Sequence, residues 1–174
     1  DTGLFKETVR ESYRLVSAAL ARGLAELGLV AELAEAPSED YGRGSLPCFS
    51  RPGRDELQLG GKKILGSAQK RLGGKFLQHG SLPLAHDEGL LRSVSKARED
   101  VDIRMSSLSA LLGRPVSWEE AAACLRRGFE VYFQADLRPV RFSSEEEERI
   151  RLLEIRKYAG DAWTLFGRSP EQHS

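Results

Sequence analysis

The succession of periodicities along this chain predicts an α+β fold, an antiparallel or mixed sheet packed by helices. Three features carry that expectation. Apolar residues first recur at three- and four-residue steps, then alternate in short runs punctuated by Gly-Gly pairs, and finally follow two serine-led helix-start patterns.

Taken in order, Phe5, Val9, Tyr13, Val16, Leu20, Leu24 and Leu27 form one face of an amphipathic helix over about residues 4–27, with Gly28 at its stop. Val30 to Leu33 reads as a short strand. Residues 35–47, with Pro37, Gly42, Gly44 and Pro47, read as a loop. Glu56 to Leu59 and Lys62 to Leu65 flank Gly60-Gly61, a hairpin pattern, because glycine accepts the positive φ of a tight primed turn. Gly73-Gly74 repeats the punctuation before Lys75 to Leu82, so three antiparallel strands are expected at about 55–59, 62–70 and 75–83. Ser106 to Leu112 predicts a short helix ending at Gly113. Ser117 with Glu120 forms a capping box opening a helix to about Phe133. Leu137 to Phe142 suggests a further strand. Ser144 to Glu147 reads as a second box, opening an acid-led helix to about Ala159. Residues 1–104, comprising helix, loop and meander, and the helical residues 105–174 thus form two portions of one domain.

The chain of 174 residues carries 26 Lys plus Arg against 26 Asp plus Glu, a net charge of zero. Such a balance supplies no bulk field toward nucleic acid or an anionic membrane. The 40% hydrophobic content is enough for a core. No apolar run approaches the ~18 residues of a membrane span, and the first ten residues lack a signal-peptide pattern. Two cysteines, Cys48 and Cys124, make no disulfide framework, and no Cys/His cluster has zinc spacing, so a reducing cytoplasm and no metal are expected. The sequence starts at Asp1 and its only methionine is Met105, which suggests a longer product whose N-terminal part, with a share of any active site, is missing.

Three features have chemical potential. Cys48 follows a Gly/Pro loop, where a nucleophilic thiol is accessible, whereas Cys124 sits in a helical Ala121-Ala122-Ala123 context and reads as core. Lys63 lies on a strand; it is either a solvated edge lysine or one projecting into a cleft. Gly66, Ser67, Ala68 and Gln69 are small or slender for a strand interior. His79, Gly80 and Ser81 match them on the next strand, as the floor of a groove for a slender apolar chain or as a site of close packing. A two-residue Gly60-Gly61 turn places Gln58 opposite Lys63 and puts Lys63, Leu65 and Ser67 on one face. A two-residue Gly73-Gly74 turn pairs Ala68 with His79, on the other face from Lys63. A loop one residue longer would pair Ser67 with His79 and bring the imidazole round.

Cys48-Phe49, Pro52, Glu56-Leu57, the run from Gly61 through Lys63 to Arg71, and Leu77-Gln78-His79-Gly80-Ser81 together resemble the biotin/lipoate A/B protein ligase family, most of all its octanoyltransferase branch. Leu108 to Gly113, the Phe129 region and Lys157-Tyr158 with Trp163 extend the likeness over nearly the whole chain. The resemblance implies a biotin/lipoate protein ligase-like fold, with residues 1–104 as the catalytic portion. It implies acyl transfer in lipoate biosynthesis. Cys48 attacks the thioester of octanoyl-acyl carrier protein, and the octanoyl (or lipoyl) group passes to a lysine of a lipoyl domain, such as glycine cleavage H protein or a dehydrogenase E2 subunit. Lys63 matches the family's lysine that orients the acyl carbonyl. Gly66, Ser67, Ala68, Gln69, His79, Gly80 and Ser81 are the implied substrate-binding residues. No cofactor is implied, and ATP with Mg enters only under the alternative of an ATP-dependent lipoate ligase. A further alternative is a non-catalytic, truncated carrier-binding module. The family's Arg-Arg and Gly-Gly-rich segment before this region is not found in this sequence.

Overall fold

The computed structural model describes residues 8–35, 53–72, 75–87, 89–90, 93 and 104–167. Its chain divides into two compact units, 1–137 and 138–174.

In the first unit, helix α1 spans Val9–Glu26. Sequence periodicity carried this helix back to residue 4, but Thr8 is extended at φ −61° and ψ 165° and caps it. The Thr8 hydroxyl accepts from Glu11 N–H at 3.3 Å, and Glu11 Oε2 accepts from Thr8 N–H at 2.9 Å. The bond from Thr8 N–H first, and then the one the Thr8 hydroxyl donates to Glu11 Oε2 at 2.8 Å, hold the Glu11 carboxyl below its ordinary range. At the other end Gly28 is left-handed at φ 83°. Gly28 N–H reaches Ala25 O at 2.9 Å and Leu29 N–H reaches Leu24 O at 3.0 Å, a Schellman stop where the sequence placed one.

Strands β1 (Glu32–Leu33), β2 (Leu57–Leu59) and β3 (Lys62–Lys63) form an antiparallel sheet in that order. Gly60 and Gly61 both have positive φ, 56° and 73°, so the turn is the primed type that pairs Gln58 with Lys63. Strands β4 (Gly66–Leu72) and β5 (Lys75–Ser81) form a second, separate two-stranded sheet. The expected continuous strand over 62–70 is therefore corrected. Ile64 and Leu65 are consecutive and both buried, so the inside–outside alternation of a single strand fails there and the chain steps between sheets. Lys63, Leu65 and Ser67 accordingly do not lie along one continuous strand face.

Helix α2 (Leu108–Leu112) is capped by Ser107, begins two residues after the expected start at Ser106, and ends at left-handed Gly113. Helix α3 (Trp118–Phe133) is capped by Ser117, whose hydroxyl accepts from Glu120 N–H at 3.1 Å. The reciprocal half of the expected capping box is replaced: the Glu120 carboxylate accepts from Arg114 at 2.6 and 3.1 Å instead. That pairing holds the Glu120 carboxyl below its ordinary range.

Helices α1 and α3 cross with their backbones in contact. A Cβ built on Gly128 would lie 2.5 Å from Ala19 O, and one on Gly23 would lie 2.7 Å from Leu125 Cα. Only glycine permits this approach. The core beside it is built on Leu24, Leu57, Ile64 and Leu108, with Leu27, Leu29, Leu65, Val116 and Ala121. Cys124 packs against this core half-buried, and burial, followed by the Glu120 and Glu26 charges, pushes its thiol up.

In the second unit, helix α4 (Ser144–Leu153) is capped by Ser143, one residue before the expected box. Ser143 Oγ accepts from Glu146 N–H at 3.3 Å and Glu146 Oε2 accepts from Ser143 N–H at 2.8 Å. The helix widens into a π turn over Glu154–Tyr158 before the short α5 (Asp161–Thr164). Tyr158 and Trp163 meet edge to face at 5.2 Å, with Lys157 Nζ 4.8 Å from the Trp163 ring centre. The strand expected over 137–142 is absent; Pro139 brings no N–H for a ladder. Among the described residues no helix is long and apolar enough to cross a membrane.

Candidate active site

The most constrained polar feature of the first unit is Lys63. Its backbone is held on both sides. On one side it pairs with Gln58; on the other it makes a parallel bridge to Met105, with Lys63 N–H to Arg104 O at 2.7 Å and Ser106 N–H to Lys63 O at 2.9 Å. The side chain is 4% exposed, and its Nζ lies 2.7 Å from Glu56 Oε2, on a side chain 7% exposed. The alternative of a solvated edge lysine is thereby overturned. In such a dry setting an unpartnered charge is costly, and deleting one member of a buried pair costs about 3–5 kcal/mol.

Glu56 does more than face the ammonium. The same Oε2 accepts from Gly53 N–H at 2.5 Å. The Gly53–Glu56 turn is fixed from outside as well. Asp55 is left-handed at φ 62°. Its carboxylate lies 2.9 Å from Arg10 Nε and 3.6 Å from Arg14 Nε, both on α1. Asp55 N–H donates to Ala34 O at 2.8 Å, and Ala34 N–H donates to Glu56 O at 2.9 Å. Glu56 was not among the expected site residues. Its signal was the hairpin register: with Gln58 opposite Lys63, Glu56 is the diagonal neighbour on the same face.

Cys48 lies outside the described residues. It precedes Gly53 by 53 − 48 = 5 residues, so the chain confines it to within about 18 Å of Gly53.

The small-residue segments divide between two faces of the β4–β5 ribbon. Ala68 pairs with His79, the register of a two-residue turn, and Gly66 pairs with Ser81. Ala68, His79 and Ser81 are exposed, together with Lys70 and Leu77 on the same face, and Leu77 is 68% exposed. Ser67, Gln69 and Gly80 belong to the opposite face, toward α1. There Ser67 Oγ donates to Tyr13 Oη at 2.7 Å, and Gln69 Nε2 donates to Gln78 Oε1 at 2.9 Å. Arg71 bonds Ser12 Oγ on α1. A cavity of about 200 Å³ remains beside the ribbon, lined by Val16, Leu20, Leu65, Leu125 and Phe129 together with Ser67, His79 and Gly80 of the expected set. Of the seven residues expected to floor one groove, Ser67, His79 and Gly80 share the lining of this cavity, while Gly66, Ala68, Gln69 and Ser81 do not line it. Among the described residues there is no group of three or more His, Cys, Asp or Glu side chains that would hold a metal ion.

A buried, strand-borne ammonium between two small antiparallel sheets, with α1 packed against α3 in the same unit, fits a lipoate ligase-like catalytic fold. Structural comparison bears this out. The crystal structure of lipoate-protein ligase A bound with ATP superposes with a TM-score of 0.74 at 26% identity, over 90% of this chain and 59% of that one. A bi-partite lipoate protein ligase from Thermoplasma acidophilum, solved with its E2 lipoyl domain, shares the fold with a TM-score of 0.72 at 22% identity, over 96% of this chain and 62% of that one. The sequence model of the lipoyl protein ligase A/B catalytic domain matches residues 2–130, and the chain belongs to that family. It is 34% identical over 174 aligned residues to octanoyltransferase LipM of Lysinibacillus sphaericus, covering 91% of this chain and 63% of that protein. It is 33% identical to octanoyltransferase LipM of Bacillus subtilis, over 90% of this chain and 61% of that protein. The chain spans about three-fifths of the length of these curated relatives.

Proposed function

We propose that this chain carries part of an acyltransferase that moves an octanoyl group onto a lipoyl domain through a cysteine thioester. The observation that carries the reading is the buried Lys63–Glu56 pair, joined through Gly53 to the segment bearing Cys48. The octanoyltransferase relatives support it.

In the first step the Cys48 sulfur attacks the carbonyl carbon of octanoyl-acyl carrier protein. A new C–S bond forms, the old one breaks, and the carrier leaves as its thiol with the proton lost by Cys48. The Lys63 ammonium donates to the carbonyl oxygen as negative charge builds on it. In the second step a lysine amine of a lipoyl domain attacks the octanoyl-Cys48 carbonyl. An amide forms, and Cys48 recovers its thiol with a proton from the amine. One thioester replaces another and an amide then forms downhill, so neither ATP nor a metal is required. The apolar cavity beside β4–β5, lined by Leu65, Ser67, His79 and Gly80, takes the acyl chain, whose burial contributes ~0.8 kcal/mol per methylene.

The ATP-bound ligase with the same fold favours a second reading, in which an adenylate replaces the cysteine ester. Mass spectrometry after mixing full-length protein with octanoyl-acyl carrier protein separates the two. The transferase gains one octanoyl group on Cys48 without ATP, and Cys48→Ala loses both the adduct and the transfer. Full activity in Cys48→Ala, or strict dependence on ATP, would count against the thioester route.

A further inference from the structure

We infer that Gln78 is the end wall of the acyl cavity, so that this one side chain sets the length of the chain the site accepts and matches it to an octanoyl group. The inference rests on the acyl-transfer reading of the site and adds to it a specificity-determining residue.

Residues lining the cavity recur two apart along the chain, at Gln78, Gly80 and Leu82. Gly80 has no side chain, so the floor between its two neighbours is bare. Gly66 pairs with Ser81, which brings Leu65 and Leu82 together at the end toward Lys63. Gln78 is the lining residue farthest from that end along the ribbon. Four steps of strand at about 3.3 Å set Leu82 and Gln78 about 13 Å apart. The seven carbon–carbon bonds of an extended octanoyl group advance about 1.25 Å each, and a contact of about 4 Å at the closed end completes that span. The wall is tied down. An arginine side chain carries donors only, and Arg71 Nε donates to Gln69 Oε1 at 3.1 Å. Gln69 therefore turns its Nε2 to Gln78 Oε1, at 2.9 Å. Arg71 is itself bonded to α1, through Thr8 O at 3.2 Å and Ser12 Oγ. Gln78 Nε2 is sealed from solvent and has no hydrogen-bond partner among the described residues. A longer tail brings no acceptor for that nitrogen, and it passes only by pushing Gln78 off Gln69 in a dry setting, where a lost hydrogen bond is costly. A decanoyl tail would overrun the wall by about 2.5 Å.

Gln78→Ala removes the wall, and Gln78→Asn withdraws it by one methylene. Full-length protein is mixed in turn with octanoyl- and decanoyl-acyl carrier protein, and single-turnover acylation of Cys48 is followed by mass spectrometry. A methylene that fits or fails to fit an apolar pocket changes rates by about tenfold or more, so wild type is expected to take octanoyl at least about tenfold faster than decanoyl. Gln78→Ala is expected to bring that ratio to about one, by accepting the longer chain. Gln78→Asn moves the ratio the same way by a smaller factor. A merely structural role lowers both rates alike and leaves their ratio where it was. Should Gln78→Ala fail to fold, Gln78→Asn carries the test. An unchanged ratio in a folded variant overturns the inference, as does a wild type that takes both chains equally fast. If wild-type protein acquires neither acyl group on Cys48, the thioester reading fails and the end wall with it; acylation of wild type by octanoyl, with the same ratio in the variants, removes the end wall alone.

Discussion

Replacing Gly128 with alanine tests the helix crossing on which the site is mounted. Helix α1 supplies Arg10 and Arg14 to the Asp55 turn and Tyr13 to Ser67, so its seat against α3 reaches the site directly. The added methyl would stand 2.5 Å from Ala19 O and from Gly23 Cα, both backbone atoms that no rotamer change can move. The helices must part. Overpacking of this kind costs about 1–3 kcal/mol, and more where backbone is the obstacle. Alanine's better helix propensity returns up to ~1 kcal/mol. A net loss of about 2 kcal/mol lowers Tm by about 4–8 °C in a chain of this size. Differential scanning calorimetry of Gly128→Ala measures it. Arg127→Ala, exposed on the same helix, is the control and stays within about 0.5 kcal/mol of the parent. An unchanged Tm in Gly128→Ala would mean that the helices are not in backbone contact.

Other consequences are open to simple assays. Lys63→Met strands the Glu56 carboxylate in the core, so chemical denaturation is expected to register a loss of about 3–5 kcal/mol, and octanoyl transfer falls to background. Glu120 has a carboxyl depressed by Arg114, so its stabilising contribution is present above the ordinary value of 4.5 and is lost as pH falls through the lower, folded-state value. The stability difference between wild type and Arg114→Ala therefore shrinks in acid, and NMR titration of Glu120 in the variant returns toward 4.5. The Cys124 thiol is pushed up by burial, so near neutral pH iodoacetamide followed by peptide mass spectrometry is expected to label Cys48 well before Cys124.

The first hairpin register was legible because the two-residue Gly60-Gly61 turn leaves one pairing, whereas Gly73-Gly74 left two, with Ala68 or Ser67 opposite His79. Gln58 meets Lys63 as that geometry demands, and Ala68 meets His79. The helix faces were legible from spacing, and Gly28 from its place after the last periodic leucine. The break at Ile64-Leu65 was hidden, because an apolar pair inside an alternating run looks the same whether the strand continues or changes sheets. Thr8 was passed over since Val9 extends the apolar rhythm of Phe5, while the cap depends on Glu11 three residues later. The Ser117 box was half right: sequence spacing cannot anticipate that Arg114 captures the Glu120 carboxylate. Gly23 and Gly128 gave no signal, because contact between residues far apart in the chain has no local pattern. Lys63 was a candidate from its place on a strand and gained its role by resemblance, but its burial came from partners outside its own strand, Glu56 and the Arg104 to Ser106 segment.

The division of the strands into two ladders has a kinetic consequence. Opening of one hairpin in a single continuous sheet would shear the hydrogen bonds of its neighbour. Here Ile64 and Leu65 are sunk in the core between the ladders, and the β4–β5 ribbon can unzip from its far end, where Leu72 pairs with Lys75, while β2 and β3 keep their bonds. Amide exchange should therefore be fast toward the ribbon's tip and slow at Lys63, so that opening of the ribbon leaves the amine in its seat.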